Sequence, residues 1–208
     1  MNLWDQESCG EWHAVLEQYP AVIEARGTPG LADLDTWYRT RLPEVLAERA
    51  PPELLRDELV LVTRWKMQRG VWREPNWLRV QGNDGGLVRE VAAAAFAAVP
   101  DPRRPVELLC RLDGVGPATA SAVLAAYAPA EYPFFDEPVA AQAPGLGPIA
   151  YTIPYYLRYA AALHERARRL SAACPHTDWT AQDLGLALWT AAAAHTAPNG
   201  GKERAAHG

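Results

Sequence analysis

An all-helical domain is what this sequence predicts, on three observations. Apolar residues make up 49% of the 208 residues, with alanine prominent among them. They recur at the three- and four-residue spacing of a helix face, whereas Val, Ile and Thr form no alternating runs of the kind a half-buried strand needs. Clusters of proline and glycine punctuate the chain at helix-length intervals. A chain of this size can bury a core without metals or disulfides, so one compact multi-helix domain is expected, with room for a terminal extension.

Residues 7–25 read as a first amphipathic helix, with Trp12, Val15, Leu16, Tyr19 and Val22 or Ile23 on one side and Glu11, Glu17 and Glu24 elsewhere. Gly27-Thr28-Pro29-Gly30 ends it. A second helical run covers Leu34 to Leu46, interrupted near Pro43, and Pro51-Pro52 marks a boundary. Residues 1–50 are read as an acidic helical layer, 51–197 as the main helical domain, and 198–208 as a disordered tail without periodicity.

From Glu53 to Arg69 the spacing is again helical, with Leu55, Leu59, Val62 and Trp65 as the apolar stripe and Gly70 as the stop. Asn83-Asp84-Gly85-Gly86 is a turn and cap before an Ala-rich helix, Leu87 to Val99. Pro100-Asp101-Pro102 opens the next helix, Val106 to Leu112. Beyond Asp136 a short helix ends at Pro144-Gly145. Residues 155–173 form a longer one, with Tyr156, Ala160, Leu163 and Ala167 inward and Arg158, Glu165, Arg166 and Arg169 outward. Thr180 with Asp183 three residues later is a capping pair before Leu184, Leu188 and Trp189.

The net charge of −5 argues superficially against a nucleic-acid partner, but its distribution does not. Residues 1–59 carry 5 basic and 12 acidic side chains, residues 60–111 carry 9 and 5, and residues 112–208 carry 6 and 8. Only the middle segment can supply a basic footprint, and any affinity for bulk DNA is expected to be modest and salt dependent. Cys9, Cys110 and Cys174 are odd in number and far apart, which suggests a reducing compartment. No secretory signal and no membrane-spanning stretch is visible, so a cytoplasmic location and no membrane partner are expected. The five histidines show no metal spacing, and no serine sits in a nucleophile elbow.

The stretch from Leu112 to Val139 carries the most chemistry. Two glycines, Gly114 and Gly116, stand between helical segments, where the backbone can approach another molecule closely for want of a Cβ. Pro117 suits the first turn of the following helix, whose N-terminal amides and dipole favour a phosphate. At the far end Asp136 precedes Glu137-Pro138, a good helix start, so Asp136 is a natural N-cap kept ionised by the helix end. A phosphate anchor and a carboxylate are thereby held apart by one short helix.

This pattern resembles the helix-hairpin-helix DNA glycosylase superfamily, and within it a branch that also carries a phrase like Trp65-Lys66-Met67-Gln68-Arg69-Gly70. The likeness is specific from about Leu108 to Val139 and diffuse back to about Leu59. It places the hairpin at Leu112 to Gly116, within a helix-hairpin-helix spanning about 105–127, the Thr-Ala pair at Thr119-Ala120 and the catalytic Asp at Asp136. Relatives that also cleave the strand carry a Lys two positions after the second hairpin glycine; here that position is Ala118, which implies the monofunctional kind. The cysteines offer no ligand set for the iron–sulfur cluster some members carry. No cofactor is implied beyond a monovalent cation at the hairpin.

The function this implies is a DNA repair-type hydrolase acting as a monomer on DNA. It would flip a modified base and break its N-glycosidic bond, with Asp136 stabilising a sugar of oxocarbenium character and activating water. The amides of Gly114, Val115, Gly116 and Ala118, with Thr119, Arg69 and Arg73, would hold DNA. Trp65, Lys66, Gln68 and Trp72 would form the base pocket; Lys66, one of two lysines, also invites a Schiff-base role. Plainer readings stand beside each of these: the tryptophans as core, Asp136 as a simple cap, the hairpin as an internal turn. They lead to a noncatalytic DNA-binding protein, or to a protein-interaction scaffold using the acidic first third.

Overall fold

A computed structural model describes residues 2–174 and 176–196. Every regular element among them is helical. After a 3₁₀ turn at Leu3–Asp5 come α1 (Cys9–Glu17), α2 (Tyr19–Ala25), α3 (Leu31–Thr36), a π-helical turn (Trp37–Arg41) and α4 (Leu42–Glu48). The main series follows: α5 (Arg56–Arg69), α6 (Glu74–Gln81), α7 (Gly85–Ala97), α8 (Arg104–Leu109), α9 (Pro117–Tyr127), α10 (Glu137–Ala140), α11 (Ile153–Ala173) and α12 (Ala181–Thr196). The expected tail, 198–208, lies outside the described residues.

Most expected elements stand close to their expected places. The first run divides at Gln18, because Pro20 cannot donate within a continuing helix and instead sits in the first turn of α2. Asp84 caps α7 by accepting from the Leu87 amide, and Thr180 with Asp183 caps α12 reciprocally. One element, α6, was not expected: only Val80 of its eight residues is buried, so it carries no apolar stripe to read. Arg166, expected outward, is buried; its guanidinium donates to the carbonyls of Trp4 and Gln6 and lies 5.5 Å from the Trp12 ring.

Residues of the first third share one apolar core with the rest. Trp12, Tyr19, Leu31, Tyr38 and Leu46 pack in the same cluster as Leu59, Val123 and Leu188. Here α1 lies on α12, α3 on α5 and α4 on α9. Arg49 grips Glu58 of α5 through both guanidinium nitrogens, at 2.7 and 2.6 Å, and Glu58 also accepts from the Leu55 amide, closing the start of α5. Cys9 and Cys174 form a disulfide tying α1 to the end of α11, so nothing about a reducing compartment follows from the cysteine count. No described helix is long and apolar enough to cross a membrane.

Candidate functional site

The last turns of α5 and the extended segment that ends at Asp136 build the site between them. That segment runs through Phe134 and Phe135, and its backbone is held by side chains from three helices. The Phe135 amide donates to Ser121 Oγ of α9 at 2.9 Å, and the Phe134 amide donates to Gln182 Oε1 of α12 at 3.0 Å. From α11, Tyr159 donates to the Phe134 carbonyl at 2.7 Å and Tyr156 to that of Pro133 at 3.3 Å. A buried segment that cannot pair in a sheet needs such partners, and having them fixes the entry to Asp136.

Asp136 occupies the N-cap position of α10, yet its carboxylate makes no capping bond to that helix. It is 7% exposed, and its Oδ2 lies 3.2 Å from Nη2 of Arg69, itself 3% exposed. The approach lacks hydrogen-bond geometry, leaving Asp136 Oδ2 and Arg69 Nε buried without hydrogen-bond partners among the described residues. Burial pushes the Asp136 carboxyl above the usual carboxylate range, against the pull of Arg69, Lys66 and Arg39. The N-cap bond that the sequence predicts is not made, and the carboxyl is shifted upward from its ordinary value.

The carboxylate faces a cavity of about 430 Å³. Its lining includes the cations Arg26, Lys66, Arg69 and Arg73 together with Ala118, Phe134, Phe135, Pro138, Ile149, Tyr151 and Trp189. The volume lies within the roughly 300–1,000 Å³ of small-molecule sites. Lys66 is half-buried, and burial pushes its ammonium below the ordinary lysine value, Asp136 opposing and Arg73 adding to the fall. Ala118 therefore lines the same cavity as Asp136.

The turn between α8 and α9 is built differently from expectation. Gly114 has φ +75°, and a Cβ there would stand 2.7 Å from the Asn76 carbonyl and 2.9 Å from Val80 Cγ2. Its close approach is thus spent on α6 of the same chain. Gly116 has ordinary extended backbone and open space around it. The Val115 amide donates to Leu112 within the turn and is not offered outward, while Val115 and Thr119 side chains are buried. Among the described residues the Gly116 and Ala118 amides find no acceptor in the protein. Asn83 braces the turn, donating to the Asp113 carbonyl and accepting from the Asp113 amide, both at 2.9 Å. A cation here would rely on turn carbonyls, two of which, Leu112 and Asp113, already accept bonds; no His, Cys, Asp and Glu cluster suited to a metal occurs among the described residues.

Of the other expected site residues, Arg73 is exposed and lines the cavity. Arg69 lines it but is sealed from the surface, its guanidinium 4.2 Å from the Trp189 ring, so it is corrected from a surface phosphate contact to a buried partner of Asp136. Trp65 is corrected from base pocket to core: it is fully buried, stacks 3.6 Å from Tyr38, and donates to Asp35 at 2.7 Å. Asp35 also accepts from Tyr19 and Arg39, and this buried network holds the indole away from the cavity. Gln68 turns toward the Pro29 carbonyl, and Trp72, 44% exposed, bonds Glu74 and packs on Trp77; neither lines the cavity.

Sequence reasoning missed Arg26, Tyr151, Trp189, Ser121, Tyr159 and Gln182. Only Trp189 carried a signal, as a large aromatic on an expected helix; the others act through contacts across the fold that no local spacing encodes. No family model matches the chain, and neither a curated protein nor a solved structure is significantly similar to it.

Proposed function

We propose that this chain is a monofunctional DNA glycosylase resembling the helix-hairpin-helix superfamily, acting as a monomer and hydrolysing the N-glycosidic bond of an extruded nucleotide. The observation that carries this reading is the Asp136 carboxylate, buried, uncapped and with one oxygen unbonded, in a cavity large enough for a nucleoside. Burying a carboxylate without bonding it costs stability, and such groups concentrate at functional sites.

In this reading the base leaves C1′ with the bonding electron pair, and the sugar gains positive charge that Asp136 offsets at close range. Water attacks C1′ from the Asp136 side and gives its proton to the carboxylate, which passes it on toward the departing base. A carboxyl whose pKa is raised by burial is a better base for that proton than an ordinary carboxylate. With Ala118 where strand-cleaving relatives hold an amine, water is the nucleophile at that position. Val71, 59% exposed on the cavity lip, is placed to fill the gap an extruded base leaves. The open Gly116 and Ala118 amides support a backbone phosphate contact.

The Arg69–Asp136 pair favours a second reading, in which Asp136 neutralises Arg69 and the cavity binds without catalysis. A panel of duplex and single-stranded oligonucleotides carrying different modified bases, scored for abasic sites by alkali cleavage, separates the two. Alkali-dependent cleavage on one member supports the glycosylase; salt-sensitive binding with no cleavage across the panel supports the binding module.

A further inference from the structure

The cavity beside Asp136 carries more positive charge than its one ion pair uses. Arg26, Lys66, Arg69 and Arg73 line it against two carboxylates, Asp136 and Glu137, in a chain whose net charge is −5. Arg69 is committed to Asp136. Glu137 is engaged by the Tyr151 hydroxyl at 2.6 Å. Among the described residues no carboxylate lies within ion-pair distance of Arg26, Lys66 or Arg73; Arg26 donates to the Arg69 carbonyl at 3.3 Å, whereas the Lys66 ammonium makes no hydrogen bond.

Lys66 is half-buried with no counter-charge in ion-pair reach, and an anionic ligand offsets the cost of holding it there; Arg26 and Arg73 are exposed and add their charge at the mouth. The same cavity is lined by Pro138, Ile149 and Tyr151, with Arg73 5.9 Å from the centre of the Tyr151 ring. The ligand therefore has an apolar body and an anionic group whose charge Lys66 and Arg73 can share. A phosphate, with about −1.5 to −2 charges when terminal, meets that requirement better than a single carboxylate.

Building on the reading of this cavity as a nucleoside site, we infer that Lys66 and Arg73, assisted by Arg26, form a phosphate subsite inside it, distinct from the α8–α9 turn, so that the cavity takes a nucleoside together with its phosphate. The phosphate can belong to a free nucleotide or to a strand. Lys66 supplies the rotatable ammonium and Arg73 the planar fork at the mouth.

Calorimetric titration of the full chain with deoxyadenosine, its 5′-monophosphate and a trinucleotide, using Lys66→Met, Arg73→Met and Asp136→Asn, tests this. The monophosphate should bind at least about tenfold tighter than the nucleoside. Lys66→Met should abolish that gain, and Arg73→Met should reduce it. Asp136→Asn should keep or increase it, since a repelling charge is removed. A trinucleotide binding tighter than the monophosphate assigns the subsite to strand phosphates; equal affinity assigns it to free nucleotides. Equal binding of nucleoside and monophosphate by wild type, or an unchanged gain in a folded Lys66→Met protein, overturns the inference. Failure here with Asp136-dependent base excision intact leaves the glycosylase reading standing; a Lys66-dependent gain without any excision does the reverse.

Discussion

Nη2 of Arg69 lies 3.2 Å from Oδ2 of Asp136, both side chains buried, with no hydrogen bond between them. The guanidinium is held over the Trp189 ring, at 4.2 Å, and it supplies charge to the carboxylate without occupying its acceptor. Asp136 is thereby partly compensated and still free to accept from water or substrate. Several measurable consequences depend on that arrangement.

Asp136→Asn should leave the protein as stable as wild type or raise its stability by about 0.5–2 kcal/mol near neutral pH. The folded-state pKa of Asp136 is raised by burial, so its contribution to stability is fully present below the unfolded value of about 3.9 and is lost as pH rises through the folded one. An amide resembles the protonated acid and escapes that loss. Thermal unfolding of both proteins across pH 4–8 checks this, the gap widening as pH rises.

Arg69→Met should act in the opposite sense. Losing Arg69 leaves the Asp136 carboxylate buried without its counter-charge, which costs about 3 kcal/mol, and the carboxyl loses the largest influence holding its pKa down. The acid limb of any excision rate should move to higher pH, and chemical denaturation should show the lower midpoint.

The two glycines of the turn between α8 and α9 should separate folding from binding. Gly114→Ala meets both a positive φ and a backbone oxygen at 2.7 Å, and should destabilise by about 1–3 kcal/mol. Gly116→Ala adds a methyl into open space on extended backbone and should change stability by no more than about 1 kcal/mol. If the Gly116 and Ala118 amides hold a phosphate, that methyl should nevertheless weaken DNA binding in a fluorescence titration.

Reduction of the Cys9–Cys174 disulfide, or Cys9→Ser, should lower stability by about 2–5 kcal/mol, since the bond joins positions 165 residues apart. Denaturant unfolding with and without reductant measures it, alongside thiol counting that should find Cys110 alone unpaired.

The helices were legible because apolar spacing, caps and proline positions act locally: Asp84, Thr180 with Asp183, and Gly70 each sit where short-range rules put them. Asp136 and Ala118, singled out by the motif around them, line one cavity. What could not be read was burial across long sequence distances. Trp65 and Arg69 lie on one helix face in the sequence, but Asp35 draws the indole inward and Asp136 the guanidinium. Arg26 reaches the cavity from a first third that read as an outer layer, because nothing local reveals that α2 packs on α12. The close approach of the Gly114 backbone to α6 was likewise invisible, α6 itself having almost no apolar face.

The most direct test is single-turnover excision by wild type and Asp136→Asn on the oligonucleotide that the modified-base panel identifies, with DNA affinity and thermal unfolding measured on the same samples. Loss of excision by about 10²-fold or more, with affinity and folding retained, is the predicted result. Excision by a folded Asp136→Asn protein at the wild-type rate would contradict the assignment of Asp136 and, with it, the proposed activity.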